Sequence, residues 1–376
     1  MDNKERLMVY PFDSQASPIL RHERLMDNYE IVSVISPNGW GFCDRDAGYV
    51  DSGNDIGIDV CSSFDELIDS VDTVLFMESF KKLDIQKLVL PKIQKVAEKG
   101  KNIICTLNLE EVFYKEVEKI CKDKGSYIKY YNPLRQVRIN TDTYESVNSI
   151  YDIKTPVVFV LGVAEKVHKF EIQLSLRNYL IESGYKVSQV GSRHYCEMFG
   201  FHSFPSFMYS EGITETKKIK LFNNFIKQIE TEEHPDVIII GIPGGLMPFN
   251  KHFSNNFGIF AYEVSQAVFP DVAIFSTLYE NYTPEYFEKI LLSVRYRLGY
   301  DVDIFNLSNN KFDWKKSTFL KNMEYITINS GFIDEKKQNL STVGKPVYNI
   351  LNNTDAVQLA NKVVNILSSN CNVITT

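Results

Sequence analysis

Short apolar runs alternate with amphipathic stretches along the first half of the chain. The runs have the length of strands, and the stretches between them repeat apolar residues at helical spacing. Strands are predicted at 7–12, 29–36, 73–78, 101–107 and 127–131, and helices at 18–26, 63–70, 84–99 and 110–124. This alternation is typical of βα units on a parallel sheet. Residues 1–150 are therefore predicted to form an N-terminal Rossmann-like α/β domain.

A polar stretch, residues 135–154, separates this half from a second series of strands and helices. The second series opens with Val157–Gly162, an almost wholly apolar strand of the kind that is buried on both faces of a parallel sheet. A helical pattern follows and ends before Gly184, where a helix-terminating glycine belongs. Further strands are predicted at 185–192, 236–242, 272–278, 301–309 and 325–331, and further helices at 214–230, 284–298 and 352–368. Residues 151–376 are therefore predicted to form a P-loop-like parallel-sheet domain.

Composition narrows the classes of partner and compartment. The formal net charge is −7, so no overall basic field exists to hold a nucleic acid, and none is expected as a partner. No run approaches the roughly 20 apolar residues of a membrane helix, and the first residues do not resemble a signal peptide. The six cysteines show no metal-ligand spacing. We expect a cytoplasmic protein with reduced thiols and no membrane association.

The loop after residue 162 carries the strongest chemical signal. A strand, a loop and a helix with lysine at its start is the arrangement that holds phosphates, because backbone N–H groups and the helix dipole face the anion. Compared with G-x-x-x-x-G-K-[ST], Lys169 takes the lysine position, but Gly162 lies one residue too far upstream. His168 replaces the second glycine, and Phe170 replaces the Mg²⁺-binding hydroxyl. An incidental lysine at an ordinary βα loop is the alternative.

The acid that would complete a metal site is missing from the expected strand. In phosphate-loop enzymes an apolar strand ends in a carboxylate that supports Mg²⁺. Here the strand at 236–242 is followed by Gly244 and Gly245, and Asp236 lies at its opposite end. No metal is therefore predicted. The two glycines are candidates for a backbone nest around an anion, and a tight turn is the alternative.

Two further loops contain candidate ligand contacts. Arg193 and His202 lie in an aromatic-rich loop after the strand at 185–192 and are predicted to close over the ligand, unless this is only a packed surface loop. Asn38 and Trp40 follow the second strand and are candidates for lining a cleft there, although a Trp folded back on the sheet is the more common arrangement. No G-x-G-x-x-G follows the first strand, so a classical NAD enzyme is not expected.

The chain resembles a bacterial family of uncharacterised proteins from peptide-maturation systems, which are encoded beside radical-enzyme maturases of small Cys-rich ribosomal peptides. The segments that carry the resemblance are 36–41 (SPNGWG), 169–174 (KFEIQL), 200–205 (GFHSFP) and 240–245 (IGIPGG). Its architecture is also similar to that of proteins that join a Rossmann-like domain to a dethiobiotin-synthetase-like nucleotide-binding domain. That second likeness implies a phosphate-contacting role for Lys169, whereas the Mg²⁺-binding hydroxyl and acid of that class have no counterpart here.

These observations lead to one expectation and two alternatives. The expectation is an accessory protein for the maturation of a ribosomally made peptide, which binds ATP, GTP or another anion. The first alternative is a non-catalytic scaffold that binds the maturase or the precursor peptide. The second is a metal-independent enzyme that uses Glu165, His168 or Glu171. Whether the chain forms a homo-oligomer stays open.

Overall fold

A computed structural model describes residues 4–131, 149–338, 340 and 343–371. The described residues fall into two compact units. The first contains the residues through 131 together with 197–200, and the second contains 149–196 and the described residues from 201 onward. The predicted boundary at residue 150 follows residues 132–148, which lie outside the described residues, so the boundary stays a prediction.

The first unit is a parallel sheet with helices, as the alternating pattern predicts. Its strands are β1 (Glu5–Tyr10), β2 (Tyr29–Ile35), β3 (Val60–Cys61), β4 (Thr73–Phe76), β5 (Asn102–Cys105) and β6 (Ile128–Tyr130). Its α-helices are α1 (Ser17–Arg21), α2 (Phe64–Leu67), α3 (Leu90–Glu98) and α4 (Glu111–Lys124). All neighbouring strands are parallel, and their order is β3-β2-β1-β4-β5-β6. The Rossmann-like α/β prediction is confirmed.

The helix predicted over 84–99 is divided in the structure. A π-helical segment, Ile85–Val89, precedes α3, and Pro91 lies at the start of α3. Proline has no N–H and its ring clashes with the preceding turn, so a regular α-helix cannot continue through this position. One amphipathic stretch therefore forms two helical segments.

The second unit is built on a seven-stranded parallel sheet. Its strands are β7 (Val157–Gly162), β8 (Val187–Gly191), β9 (His202–Ser203), β10 (Val237–Gly241), β11 (Val272–Thr277), β12 (Ile304–Leu307) and β15 (Val347–Tyr348). A separate antiparallel hairpin consists of β13 (Asn310–Phe312) and β14 (Tyr325–Thr327). The helices are α5 (Lys169–Glu182), α6 (Glu215–Glu233), α7 (Ile259–Ala267), α8 (Pro284–Leu298), α9 (Trp314–Leu320), α10 (Gly331–Gln338) and α11 (Asn353–Cys371). The predicted P-loop-like parallel-sheet class is confirmed for this unit.

Helices cover both faces of this sheet, which explains its continuous apolar strands. Phe159 and Phe275 face a core shared with α6, α7 and α8, whereas Val158 and Ile274 face α5 and α11. Every residue of β7 is buried. Because side chains alternate along a strand, a strand between two helical layers must be apolar at every position. The sheet thus holds the end of β7 in a fixed place.

The strand order reverses direction at one point in this sheet. The order is β15-β12-β11-β7-β10-β8-β9, so β7 and β11 are neighbours. The chain leaves β7 toward β8 on one side and leaves β11 toward β12 on the other. In open α/β sheets, ligands bind outside the carboxyl ends of the strands at such a reversal. The loop that follows Gly162 lies at this reversal.

Candidate anion-binding loop

The loop between β7 and α5 has the compact backbone of a phosphate-binding turn without its glycines. Lys166 and His168 adopt positive φ angles of 56° and 61°. His168 therefore keeps the left-handed conformation that the glycine of the motif would supply, at an energetic cost. Two amides stabilise it: His168 Nε2 lies 2.7 Å from Asn309 Oδ1, and Asn310 Nδ2 donates to the Lys166 carbonyl at 2.8 Å.

Backbone N–H groups of this loop are available to an anion. Within the described ranges, the N–H groups of Val167, His168 and Lys169 donate to no acceptor. The first N–H groups of a helix have no partner inside the helix, and they carry the positive end of its dipole. Successive N–H groups in a turn that contains left-handed residues form a concavity suited to an anion. The start of α5 therefore combines free donors with a favourable field.

Lys169 places its side-chain nitrogen beneath this loop. Its side chain is only 5 % exposed, and Nζ donates to the Ala164 carbonyl at 3.2 Å and to the Gly244 carbonyl. Burial lowers the pKa of Lys169, and the negative charge of Glu165 opposes that effect. An ammonium has three N–H donors. In the described part of the chain, the third has no acceptor.

The Glu165 carboxylate lies in the field of these positive groups. The residue is exposed, and its Oε1 accepts a hydrogen bond from the Gly244 N–H at 2.6 Å. The positive charge of Lys169 is the largest influence that lowers the pKa of Glu165, and Arg193 acts in the same direction. Glu165 is therefore ionised at neutral pH, and the site contains one anionic group of the protein itself.

Gly244 and Gly245 have different roles in the turn after β10. Gly244 has φ +72° and bonds through its N–H to Glu165 and through its carbonyl to Lys169. Gly245 is needed for space, since a Cβ there would lie 1.6 Å from Asn255 Nδ2. Asn255 Nδ2 in turn donates to the carbonyl of Val163 at 2.8 Å. The turn is tight, and one of its N–H groups also binds a carboxylate.

Arg193 is held beside the loop by the first turn of α5. Gln173 Nε2 donates to the Lys169 carbonyl at 2.9 Å and to Ser192 Oγ at 3.1 Å. The guanidinium carbon of Arg193 lies 5.9 Å from the ring centroid of Phe170. Phe170, which stands where a phosphate loop has a hydroxyl, thus packs against a cation instead of offering an oxygen ligand. Arg193 is a second positive charge near Lys169.

The structure does not place His202 with this cluster. The sequence predicts that His202 closes over the ligand together with Arg193, but its Nε2 pairs with Glu233 near the end of α6. Its ring also packs on Phe225, with ring centroids 5.7 Å apart. The pairing of β9 with β8 fixes the direction of the His202 side chain. Glu171 lies in the first turn of α5 and is buried.

Asn38 and Trp40 belong to the first unit. Asn38 is exposed, and Trp40 is half-buried. Lys81 Nζ donates to the Trp40 carbonyl at 2.6 Å and lies 4.2 Å from the ring centroid of Phe42. Trp40 is thus in a loop tied to the segment after β4, and nothing in this arrangement assigns it a ligand.

Sequence reasoning missed the amides that shape the loop. Asn255, Asn309 and Asn310 brace it from segments far along the chain, and none of them was a candidate. Asn309 and Asn310 follow β12 within three residues, and the carboxyl end of β12 lies at the same edge of the sheet as that of β7. Polar residues at this edge were the signal that could have identified them.

Two kinds of feature are absent from the residues that the structure describes. No group of three or more His, Cys, Asp or Glu side chains is arranged to hold a metal ion. No helix there combines the length and the apolar character needed to cross a membrane.

Comparison with known proteins identifies a solved structure that shares this fold. No protein-family model and no curated protein matches the chain. It is similar to the crystal structure of a DUF1611 family protein from Anabaena variabilis, with a TM-score of 0.61, 10% identity, and coverage of 96% of this chain and 100% of the other. A GTPase in apo form from Pyrococcus abyssi covers 40% of this chain and 66% of its own, with 19% identity and a TM-score of 0.26. The first likeness shows a shared fold, and the second is too weak to support an argument.

Proposed function

We propose that the loop between β7 and α5 binds the phosphate groups of a nucleotide, ATP or GTP, or another oxyanion. The position of the Lys169 side-chain nitrogen is the observation that carries this proposal. Lys169 is 5 % exposed, it lies at the amino end of α5, and its third N–H has no acceptor among the described residues. A buried charge that is only partly satisfied is costly, so a site that keeps one is suited to an anionic ligand.

Each group of the loop has a distinct part in binding. The Lys169 ammonium and the N–H groups of Val167 and His168 would donate to phosphate oxygens, and Arg193 would add a second charge. Charge-assisted hydrogen bonds of this kind are stronger than neutral ones. The Phe170 ring offers no oxygen to Mg²⁺, so binding, and not hydrolysis, is the activity proposed.

The biological setting of this binding is proposed from the family resemblance. Residues 169–174 and 240–245 carry part of that resemblance, and both contribute to the loop site. An accessory role in the maturation of a ribosomal peptide in the cytoplasm, with the precursor peptide or its maturase as partner, is therefore the proposed context. The scaffold alternative needs no ligand at Lys169. A binding measurement on a Lys169 variant therefore separates the accessory role from the scaffold role.

Calorimetric titration with ATP and with GTP, each with and without Mg²⁺, tests the proposal. Lys169→Ala is expected to weaken nucleotide binding by at least about tenfold, because it removes a charge-assisted donor worth roughly 1.5–3 kcal/mol. Lys289→Ala, an exposed lysine on α8, is the matched control and should bind as the wild type does. Equal affinity of Lys169→Ala and wild type, or no heat from the wild type at millimolar nucleotide, would contradict the proposal. The second result would favour the scaffold.

A further inference from the structure

The Glu165 carboxylate occupies the kind of position that a ligand oxyanion would take. It accepts a hydrogen bond from the Gly244 N–H, and Gly244 also accepts one from Lys169 through its carbonyl. Lys169 and Arg193 both favour its ionised form, as they would favour a phosphate. The loop therefore carries its own anion next to the donors that the proposed function assigns to a ligand.

This carboxylate is held by few contacts. Among the residues that the structure describes, it accepts a hydrogen bond only from the Gly244 N–H, whereas the bonds that shape the loop backbone come from Asn255, Asn309 and Asn310. Glu165 is exposed, so its carboxylate can turn into water and recover solvation there. When the Glu165 carboxylate leaves Gly244, the loop backbone therefore keeps its own hydrogen bonds. Replacing this carboxylate by a ligand oxyanion costs one charge-assisted hydrogen bond.

We infer that Glu165 is an internal competitor for the oxyanion of the ligand, and that ligand binding requires its carboxylate to leave Gly244. The inference rests on the proposed function, since it assigns the same loop to the ligand. Glu165 and a phosphate would compete for the same positive groups, and their negative charges repel each other, so both cannot occupy the site without loss of affinity. Until a ligand binds, the Glu165 carboxylate offsets part of the positive charge of the loop.

Charge and size variants at this position separate competition from other roles. Glu165→Gln removes the charge and keeps a side-chain acceptor for Gly244, whereas Glu165→Ala removes both. Affinity for ATP without Mg²⁺ should rise by about tenfold in Glu165→Gln, and at least as much in Glu165→Ala, which is the gain expected when a charged hydrogen bond of ~1.5 kcal/mol no longer opposes binding. Glu288→Gln, an exposed carboxylate on α8, makes the same change in net charge and should leave affinity unchanged.

The outcomes distinguish this inference from the proposed function. Equal ATP affinity in wild type and both Glu165 variants would overturn the competitor role while the phosphate site stood. Weaker binding in both variants, confined to titrations with Mg²⁺, would make Glu165 a metal ligand and would also overturn it. If neither wild type nor variants bind ATP, the proposed function fails and the inference fails with it. Tighter binding in the two Glu165 variants alone would support it.

Discussion

Glu263→Gln is expected to stabilise the second unit at pH 8 by up to about 3 kcal/mol relative to wild type, and to have a much smaller effect at pH 5. Glu263 lies on α7 and is fully buried, and neither of its carboxylate oxygens has a hydrogen-bond partner in the described residues. Burial raises its pKa to about 7, partly offset by the charge of Lys218. Glutamine keeps the shape of the side chain and cannot ionise.

The direction of the pH effect follows from proton binding. The pKa of Glu263 is about 7 in the folded protein and near its ordinary 4.5 in the unfolded chain, so the folded state holds the proton to higher pH. The stability contributed by this group is therefore fully present below pH 4.5 and is lost as pH rises through 7. Burying an amide without a partner has its own cost, which reduces the gain.

Chemical denaturation from pH 5 to pH 9 measures this effect. The difference in unfolding free energy between Glu263→Gln and wild type should grow across pH 5–8 and then level off. Glu288→Gln, which changes an exposed carboxylate, should show no such growth. A pH-independent difference between Glu263→Gln and wild type would contradict the burial of an unpaired acid at this position.

Gly245→Ala is expected to lower the free energy of unfolding by roughly 2–4 kcal/mol, because overpacking and lost hydrogen bonds add. The new Cβ would lie 1.6 Å from Asn255 Nδ2 and 2.6 Å from the Val163 carbonyl. Asn255 would have to move, and its bonds to the carbonyls of Val163 and Met247 would break. The brace of the anion-binding loop would be lost, so nucleotide affinity should fall as well.

Thermal and chemical denaturation of four variants test this arrangement: Gly245→Ala, Asn255→Ala, the two combined, and a control. Gly212→Ala is the control, since a Cβ there meets only Ser210 Oγ at 3.8 Å, and its stability should be close to that of wild type. Adding Asn255→Ala to Gly245→Ala removes the clash with the Asn255 side chain and leaves the one with the Val163 carbonyl, so the double variant should lose less stability than the sum of the single variants. Strict additivity would show that Gly245 and Asn255 do not interact as the structure indicates.

The parts of the fold that the sequence predicts well have strong local signals. Val157–Gly162 and Pro284–Leu298 have the predicted bounds, the first because it is apolar at every position and the second because proline starts it and glycine follows it. Gly184 follows α5 with φ +89°, as predicted for a helix terminator. Elsewhere the type of element is mostly right and the ends differ by a few residues.

Other elements have weak local signals. Helix α7, Ile259–Ala267, is nine residues long and largely apolar, so it lacks the period that distinguishes helix from strand. The run at 325–331 was predicted as a further strand of the sheet, but β14 covers only Tyr325–Thr327 and pairs with β13 in a separate antiparallel hairpin. Pairing between distant segments decides such cases, and a local pattern does not contain that information.

The candidate site likewise contains residues with a strong local sequence signal and residues without one. Lys169 and Gly162 were found from the order of strand, loop and helix, which is a local pattern. The residues that brace the loop are separated from it by 92 positions for Asn255 and by 141 for Asn309, so only the sheet order brings them together. His202 was assigned to the site from its place in a loop, and the direction of its side chain depends on Glu233, 31 positions away.

The most direct test of the central claim is a TROSY titration of isotope-labelled protein with ATP, following assigned backbone amide signals. An anion at the start of α5 should shift the amide signals of Val167, His168 and Lys169, with Gly244 moving as Glu165 leaves it. Saturation of these shifts with a common dissociation constant is the result that we predict. Unchanged signals for these four residues at millimolar ATP, or saturable shifts confined to another part of the chain, would contradict a phosphate site at Lys169.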